Sequence, residues 1–339
     1  MLTSPQGTTA EAVATQDVPL DGRPAYRPFA VEVAAVRVLG PSFRRVTLTG
    51  PDLRWFGTHG HDQRVKLVLP LADGHLTDVG QEDEETILAG TWYERWRQTP
   101  EDRRSPFRTY TVRDVRPVSR EVDIDMVVHG DAGPASRWLT RARVGDRVVL
   151  VGPDARSRDR AVGSDWSPGT ATDLLLAGDE TAAPAICSIL ESLPAGRRAR
   201  AFIEVPEAGD VLDVTLPPGA RLTWLTREGR AHGEELLPAV RSWVDSHAGL
   251  LGGARAVVRQ TLEDVDVDSQ LLWDSPVLQV QPIDSCGRGE RCGSDFYAWF
   301  AGEAAVIKTL RRLLVSEVGV CRRRVAFMGY WRQGRAEAQ

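Results

Sequence analysis

The pattern of apolar residues changes about halfway along this chain, and this change constrains the fold more than any other sequence feature. Up to about residue 153, apolar and polar residues alternate in short runs separated by turn residues, which is typical of half-buried antiparallel strands. From residue 173 onward, continuous apolar runs alternate with segments of helical spacing, which is typical of a mostly parallel sheet covered by helices. The sequence therefore predicts a β domain followed by a doubly wound α/β domain.

The same patterns predict where each region begins and ends. Residues 1–28 lack apolar periodicity and are predicted to form a disordered leader. Residues 29–155 are predicted to form an antiparallel barrel or sandwich, residues 156–172 a polar linker, and residues 173–335 the α/β domain. The charged stretch 79–104 interrupts the strands and is predicted to be an insertion whose aromatic residues fold onto the β domain or line a pocket. The six candidate strands are 31–33, 45–48, 64–69, 108–113, 122–128 and 146–151.

Composition excludes several classes of protein. The 339 residues suffice for two cores, and the net charge of −5 provides no basic field for nucleic acid. No apolar run is long enough to span a membrane and no basic n-region precedes an apolar stretch, so we expect a cytoplasmic protein without membrane insertion. Cys286 and Cys292 are spaced too widely for a metal knuckle, so the Gly-rich loop is predicted to carry incidental or redox-active thiols and no metal.

The candidate strand 108–113 carries a cation, an aromatic ring and two hydroxyls. Alternation places Arg108 and Tyr110 on one face, and Thr109 and Thr111 on the other. A cation for phosphate, a ring for stacking and a hydroxyl at the ring's polar edge suit a flavin dinucleotide. An ordinary half-buried strand shows the same alternation, so both interpretations stay open. Arg113 receives no role.

The turn 129–139 follows an apolar strand and opens a predicted helix. Its small residues would let a phosphate approach the backbone N–H groups at the helix N-terminus, where the helix dipole favours an anion. The alternative is an ordinary Gly-Pro turn in which Ser136 caps the helix. His129 is either a structural histidine or a proton-transfer group beside the ligand.

In the second domain, candidate ligand sites follow the ends of strands. Nucleotides bind outside the carboxyl ends of strands in open α/β sheets, which favours the turn containing Thr181. Gly302 and Glu303 form a similar turn, whose alternative role is helix capping. Trp331 would either cover a flavin or fill the core. Arg227 is interpreted as either a reader of a nucleotide 2′-phosphate or a surface arginine.

Taken together, these segments resemble the siderophore-interacting protein family, which is related to ferredoxin–NADP reductases. The resemblance runs from about residue 29 to 335 and rests on the order and spacing of six segments. It implies a six-stranded FAD-binding barrel, an NAD(P)H-binding α/β domain, and an oxidoreductase that passes electrons from NADPH or NADH through FAD to a ferric siderophore. The alternatives are a reductase that uses ferredoxin as donor and a siderophore-binding protein without turnover. The segments are 108–111, 129–138, 152–153, 178–182, 299–303 and 329–332.

The resemblance also implies roles for individual residues. Arg108 would neutralise the FAD phosphates, Tyr110 would stack on the isoalloxazine and Thr111 would bond its N5 edge. Cations near the flavin edge would hold the ferric chelate. The implied cofactor-binding residues are Arg108, Thr109, Tyr110, Thr111, His129, Gly133, Pro134, Ala135, Ser136, Thr181, Gly302, Glu303 and Trp331. The candidate substrate-binding residues are Lys66, Arg64 and His61.

Overall fold

A computed structural model describes residues 20–58, 60–128, 133–159, 162–256, 272–276 and 295–334, together with 258, 260–263, 265–267 and 270. These residues form a closed barrel of six antiparallel strands, followed by a six-stranded sheet with helices on its two faces. The predicted order of a β-barrel domain and an α/β domain is confirmed. Among the described residues, no helix combines the length and apolarity that crossing a membrane requires.

The barrel contains all six predicted strands. Its order is β1-β2-β5-β4-β3-β6, and antiparallel pairing of β1 with β6 closes it. Alternate residues such as Val46, Leu67 and Ile124 point inward and are fully buried, each contributing about 1.5–3 kcal/mol of transfer free energy. The strands are β1 Tyr26–Val38, β2 Phe43–Thr49, β3 Arg64–Val68, β4 Phe107–Arg116, β5 Glu121–Val127 and β6 Arg147–Pro153.

The barrel begins earlier in the chain than predicted. Residues 26–28, assigned to the leader, form the start of β1 because they pair with residues 151–153 of β6. Tyr26 fixes this segment further by donating its hydroxyl hydrogen to the carbonyl of Arg64. Residues 26–28 show no apolar periodicity in the sequence. Their partner strand, β6, lies more than 120 residues further along the chain, so nothing local predicted the pairing.

The insertion folds onto the outside of the barrel. It forms two short helices, α1 (Glu84–Ala89) and α2 (Trp92–Gln98). Trp96 of α2 is 2% exposed, packs on Phe107 with ring centroids 4.8 Å apart, and donates its indole N–H to the carbonyl of Ser105 at 2.8 Å. Trp96 thereby covers the outward-facing apolar side of β3, β4 and β6.

The second domain is a mostly parallel sheet with the order β10-β12-β11-β7-β8-β9. Successive residues of β7 point to opposite faces, so that Leu174 and Leu176 pack with α4 while Leu175 and Ala177 pack with α5 and α7. The helices of the second domain are numbered from α4, because a short helix of the barrel domain, α3 (Pro134–Leu139), precedes β6. The elements of the second domain are β7 Asp173–Gly178, α4 Ala183–Glu191, β8 Arg198–Val205, β9 Ala220–Thr226, α5 Leu236–Ser246, α6 Ala248–Gly252, β10 Trp273–Asp274, β11 Phe296–Glu303, α7 Ala304–Arg311, a π-helical continuation Arg312–Val318, and β12 Val325–Trp331.

Asp62 joins the barrel to the predicted linker and to the sheet. It is 1% exposed, and it accepts hydrogen bonds from the Ser164 hydroxyl, the Asp165 N–H at 2.9 Å and the Trp299 indole at 3.1 Å. Arg64 of β3 adds an ion pair with Asp165 at 2.6 Å. The described part of the predicted linker is therefore an ordered connection packed between the two domains.

Candidate functional site

Strand β4 displays the predicted flavin motif on two faces. Cross-strand pairing sets Thr111 opposite Arg64 and Thr109 opposite Lys66 of β3, and the Lys66 ammonium lies 3.4 Å from the Thr109 hydroxyl. Tyr110, on the other face, packs against the edge of the barrel core. The predicted alternation along β4 is confirmed, and the two threonines share a face with cations.

Arg108 and Tyr110 lie at the surface of the barrel, where a ligand can reach them. Both are partly exposed, and a terminal guanidinium nitrogen of Arg108 donates to the carbonyl of Phe107 at 2.7 Å. Thr111, by contrast, is 5% exposed. A partly exposed cation beside a partly exposed ring fits a ligand that combines phosphate with a flat aromatic system.

The helix α3 begins where the phosphate site was predicted. Gly133 precedes it in an extended conformation, and among the described residues no side chain caps it and no atom lies within 4 Å of a Cβ built at Gly133. Ser136 is buried, and the buried indole N–H of Trp138 meets no hydrogen-bond partner among the described residues. A buried indole donor without a described partner, on a helix that begins with a Gly-Pro pair, fits an anionic cofactor such as FAD. His129 lies outside the described residues.

The sheet has a topological switch point between β7 and β11. The chain leaves β7 toward β8 on one side, whereas β11 and β12 lie on the other. Ligands of open α/β sheets bind outside the carboxyl ends of the strands at such a point. Gly178 ends β7 and pairs with Ala301 of β11, so the turns containing Thr181 and Gly302 lie side by side.

Asp179, which was not among the predicted site residues, joins these turns. Its carboxylate is 3% exposed and accepts hydrogen bonds from the N–H of Thr181 at 2.9 Å, the N–H of Glu303 at 2.7 Å and the indole of Trp331 at 2.8 Å. The only available signal was its position, one residue after the Gly that ends β7. Three predicted residues thus surround one unpredicted carboxylate.

Gly302 is required for the close approach of β11 to Asp179. Its φ of +146° is rarely adopted by other residues, and a Cβ at this position would lie 2.6 Å from a carboxylate oxygen of Asp179. Glu303 caps α7 by accepting from the N–H groups of Ala305 at 2.8 Å and Val306 at 3.0 Å. The capping role that the sequence left open for Glu303 is the one observed.

Burial changes the proton affinities of two groups at the switch point. It raises the pKa of Asp179 to about 6, and the nearby Glu180 carboxylate adds to the increase. It lowers the pKa of His232, and Arg227 contributes in the same direction. The His232 ring meets Trp331 edge to face at 4.7 Å, and its buried Nδ1 has no hydrogen-bond partner in the described part of the chain.

Arg227 lies inside the domain, so both sequence interpretations of it are wrong. It is 6% exposed and binds both carboxylate oxygens of Glu180, at 2.7 and 2.9 Å, and Glu204 at 3.4 Å. Glu180 and Glu204 are 0% and 1% exposed, respectively. The carboxylate oxygens of Asp179 and Glu180 and a ring nitrogen of His232 lie within 4.8 Å of one another, as the ligands of a metal ion would. The Arg227 guanidinium already binds both oxygens of Glu180, which disfavours a metal cation at this position.

The three candidate substrate residues lie on or just before β3. Arg64 forms the ion pair with Asp165 and lies over the ring of Trp273 at 4.4 Å. Lys66 lies 4.8 Å from the ring of Phe107, and His61 packs beside Trp166 in a left-handed backbone conformation. Arg64 and Lys66 share a face of β3, and His61 lies three residues before Arg64. The loop 286–292 lies outside the described residues.

Comparisons with known proteins match both domains. Residues 32–157 match a family model described as the siderophore-interacting FAD-binding domain, and residues 171–334 match one described as siderophore-interacting protein. A Mycobacterium tuberculosis protein is 33% identical over 93% of each chain. The ferric vibriobactin reductase ViuB of Vibrio cholerae is 28% identical, over 86% of this chain and 85% of its own.

Solved structures give the same result. A siderophore utilization protein from T. fusca is 28% identical, with a TM-score of 0.64 over 94% of this chain and 97% of its own. The siderophore-interacting protein SipS of Aeromonas hydrophila is 26% identical, with a TM-score of 0.60 over 92% and 94% of the two chains. A ferredoxin reductase of carbazole 1,9a-dioxygenase, 14% identical with a TM-score of 0.54 over 90% of this chain and 70% of its own, shares the fold. The chain belongs to the siderophore-interacting protein family.

Proposed function

We propose that this protein is an FAD-dependent ferric-siderophore reductase that takes its electrons from a nicotinamide nucleotide. The observation that carries the proposal is the packing of the β4 motif against α4, the helix that follows the switch-point turn. Arg113 of β4 forms an ion pair with Glu191 at 2.7 Å, and the Ser188 hydroxyl donates to the carbonyl of Arg113 at 3.3 Å. One helix therefore connects a flavin-type strand to a nucleotide-type turn.

The barrel residues would hold FAD between the two domains. In this proposal Arg108 neutralises phosphate, the Tyr110 ring stacks on the isoalloxazine, and Thr111 bonds its polar edge. The Gly133–Ser136 turn and the first N–H groups of α3 take the pyrophosphate, with Thr109 and His129 completing that side. When bound, FAD supplies the redox chemistry by accepting a hydride and passing its electrons on one at a time.

The residues of the switch point would hold the electron donor. Thr181, Gly302, Glu303 and Trp331 surround the carboxyl ends of β7 and β11, which supports a nicotinamide nucleotide there. Each nucleotide loses a hydride and therefore provides electrons for two ferric ions, with one proton released. Because Arg227 is buried, it is not available to bind the 2′-phosphate that distinguishes NADPH from NADH.

The substrate would be an oxygen-rich, anionic ferric chelate. Lys66 would attract such a chelate by its charge, and Arg64, opposite Thr111, and His61, just before β3, would contact it. The similarity to ViuB, a ferric vibriobactin reductase, supports this substrate class. Fe(II) binds hard siderophore oxygens less tightly than Fe(III), so reduction would release the metal, and we place this step in the cytoplasm.

Absorbance spectroscopy under anaerobic conditions tests the proposal. Protein loaded with FAD should show a flavin spectrum that NADPH or NADH bleaches and that a ferric siderophore restores, with Fe(II) trapped by a ferrous chelator. Arg108→Ala should weaken FAD binding about tenfold or more, because a hydrogen bond to a charged group contributes about 1.5–3 kcal/mol. Arg97→Ala, on the exposed side of α2, is the matched control and should leave the affinity unchanged.

The same absorbance experiment tests the electron donor and the reduction of the chelate separately. Reduction by ferredoxin but by neither nucleotide would replace the proposed donor. Chelate binding without reoxidation of the flavin would support a binding protein and refute the reductase. If saturating FAD gave no bound flavin, the proposal would fail entirely.

A further inference from the structure

The carboxyl ends of β8 and β9 form an acidic rim beside the switch point. The rim consists of residues 204–210 and 226–236, all of which the structure describes. It carries six carboxylates and two guanidiniums, a formal net charge of −4. We propose that this rim makes the protein selective for NADH by repelling the 2′-phosphate of NADPH; the inference rests on the proposed nucleotide-dependent reduction. The acidic residues are Glu204, Glu207, Asp210, Glu228, Glu234 and Glu235, and the basic residues are Arg227 and Arg230.

The topology of the sheet places the rim where the adenosine end of a nucleotide would lie. In a strand-helix-strand unit such as β7-α4-β8, phosphates lie at the start of the helix and the adenosine ribose lies beyond the second strand. Strand β8 pairs in parallel with β7 on one side and with β9 on the other. Neighbouring strands are about 4.8 Å apart, so a dinucleotide whose nicotinamide occupies the switch point extends its adenosine over the rim.

Two exposed glutamates supply the repulsion. Glu207 lies two residues after the end of β8, and Glu228 lies two residues after the end of β9. The Glu228 carboxylate accepts the N–H of Ala208 at 3.2 Å, which holds its charge against the turn that follows β8. A phosphate monoester carries a charge of about −1.5 to −2 at neutral pH, so these carboxylates disfavour a 2′-phosphate much more than a 2′-hydroxyl.

The basic groups of the rim are already engaged or neutral. Arg227 is 6% exposed and binds two buried glutamates. Arg230 pairs with Glu235 at 2.9 Å, and its other nitrogens donate to the carbonyls of Arg227 at 2.9 Å and Thr226 at 3.3 Å. Burial and the charge of Arg227 lower the pKa of His232, so its imidazole is neutral at pH 7.5. A 2′-phosphate would therefore have to displace an existing partner to gain a cation.

The arginines within β8 and β9 lie toward the opposite edge of the sheet. Arg198 and Arg200 are the first and third residues of β8, and Arg221 is the second residue of β9. Each is at least five residues before the end of its strand, which corresponds to about 16 Å or more. The charge therefore changes sign along these two strands, and the end that faces the nucleotide is the acidic one.

Calorimetric titration of the FAD-loaded protein with NAD⁺ and NADP⁺ tests the inference without requiring turnover. At pH 7.5 and an ionic strength of about 0.01 M, NAD⁺ should bind at least about fivefold more tightly than NADP⁺. This ratio should shrink at about 0.15 M, because the Debye length falls from about 30 Å to about 8 Å. Exclusion of the phosphate by shape alone would leave the ratio independent of salt.

A charge-neutral variant identifies the residues responsible. Glu207→Gln/Glu228→Gln removes both exposed charges, while the amide oxygen at position 228 still accepts the Ala208 N–H. Its affinity for NADP⁺ should rise about fivefold and its affinity for NAD⁺ should rise less than about twofold. Glu82→Gln/Glu94→Gln is the matched control, because it removes two exposed charges from the insertion on the barrel. The control should leave the ratio of the two affinities unchanged.

The outcomes distinguish this inference from the proposed function. Equal affinities, tighter binding of NADP⁺, or a ratio that salt does not change would overturn the electrostatic selectivity. A ratio that is unchanged in Glu207→Gln/Glu228→Gln, or that changes equally in the control, would also overturn it. Salt-dependent preference for NAD⁺ in a protein whose flavin NADH does not reduce would support the inference and refute the proposed donor. If neither nucleotide bound, both would fail.

Discussion

Replacing Arg227 by Leu should destabilise the second domain strongly and in a pH-dependent way. The substitution removes the cation from two buried carboxylates, Glu180 and Glu204. Glu204 keeps N–H donors from Gly233 at 2.9 Å and Leu236 at 3.0 Å at the start of α5, whereas Glu180 loses the two guanidinium contacts that bind both of its oxygens. Removing one partner of a buried ion pair costs about 3–5 kcal/mol, because the remaining charge is neither solvated nor neutralised.

The loss of stability in the variant depends on pH, because proton uptake by the buried carboxylate would remove its charge. An ordinary glutamate requires about 4 kcal/mol to be protonated at pH 7.5 and about 2 kcal/mol at pH 5.5. In the variant, folding therefore favours proton uptake, and stability is lost as the pH rises. We expect a loss of about 4 kcal/mol at pH 7.5 and about half of that at pH 5.5.

Urea unfolding followed by tryptophan fluorescence measures this loss. Arg241→Leu is the control, because Arg241 is half-exposed and its pair with Glu317 at 3.0 Å should contribute less than about 1 kcal/mol. Removing the charge as well in Arg227→Leu/Glu180→Leu should recover much of the stability. A loss below about 1 kcal/mol in the single variant, or an equal loss at both pH values, would refute the reasoning.

Three further predictions concern other parts of the fold. Trp96→Ala should lower the free energy of unfolding of the barrel by about 3–5 kcal/mol in urea titrations, because it leaves a cavity against Phe107; a loss near zero would contradict the packing. Gly302→Ala should abolish nucleotide-dependent flavin reduction while FAD binding to the barrel persists, because the added Cβ would lie 2.6 Å from the Asp179 carboxylate; normal reduction would contradict this. Asp62→Ala should lower the free energy of unfolding by at least about 2 kcal/mol, because it leaves buried donors such as the Trp299 indole unpaired. Calorimetry should then resolve two transitions, and a single unchanged transition would show that Asp62 does not join the domains.

The sequence was sufficient to predict the barrel because period-two alternation is a local property of each strand. The turns at Thr181 and Gly302 were also predictable, since glycine and the end of an apolar run mark the carboxyl end of a strand. The environment of Arg227 was not predictable, because its partners lie 23 and 47 residues away and nothing local identifies them. The same reason applies to Asp179, whose importance comes from donors on β11 and β12.

Arg113, which received no role from the sequence, explains how the two halves of the candidate site keep a fixed separation. It lies two residues after Thr111 on β4, and its ion pair with Glu191 attaches β4 to the last turn of α4. Thr181 lies just before the first turn of the same helix, which is about 13 Å long. Asp125 holds the Arg113 guanidinium from the barrel side at 3.6 Å, and Arg113 is largely buried between the domains. Because a rigid helix connects the β4 motif to the switch point, a ligand that bridges the barrel and the sheet meets both sets of residues at a set distance without a further closing movement.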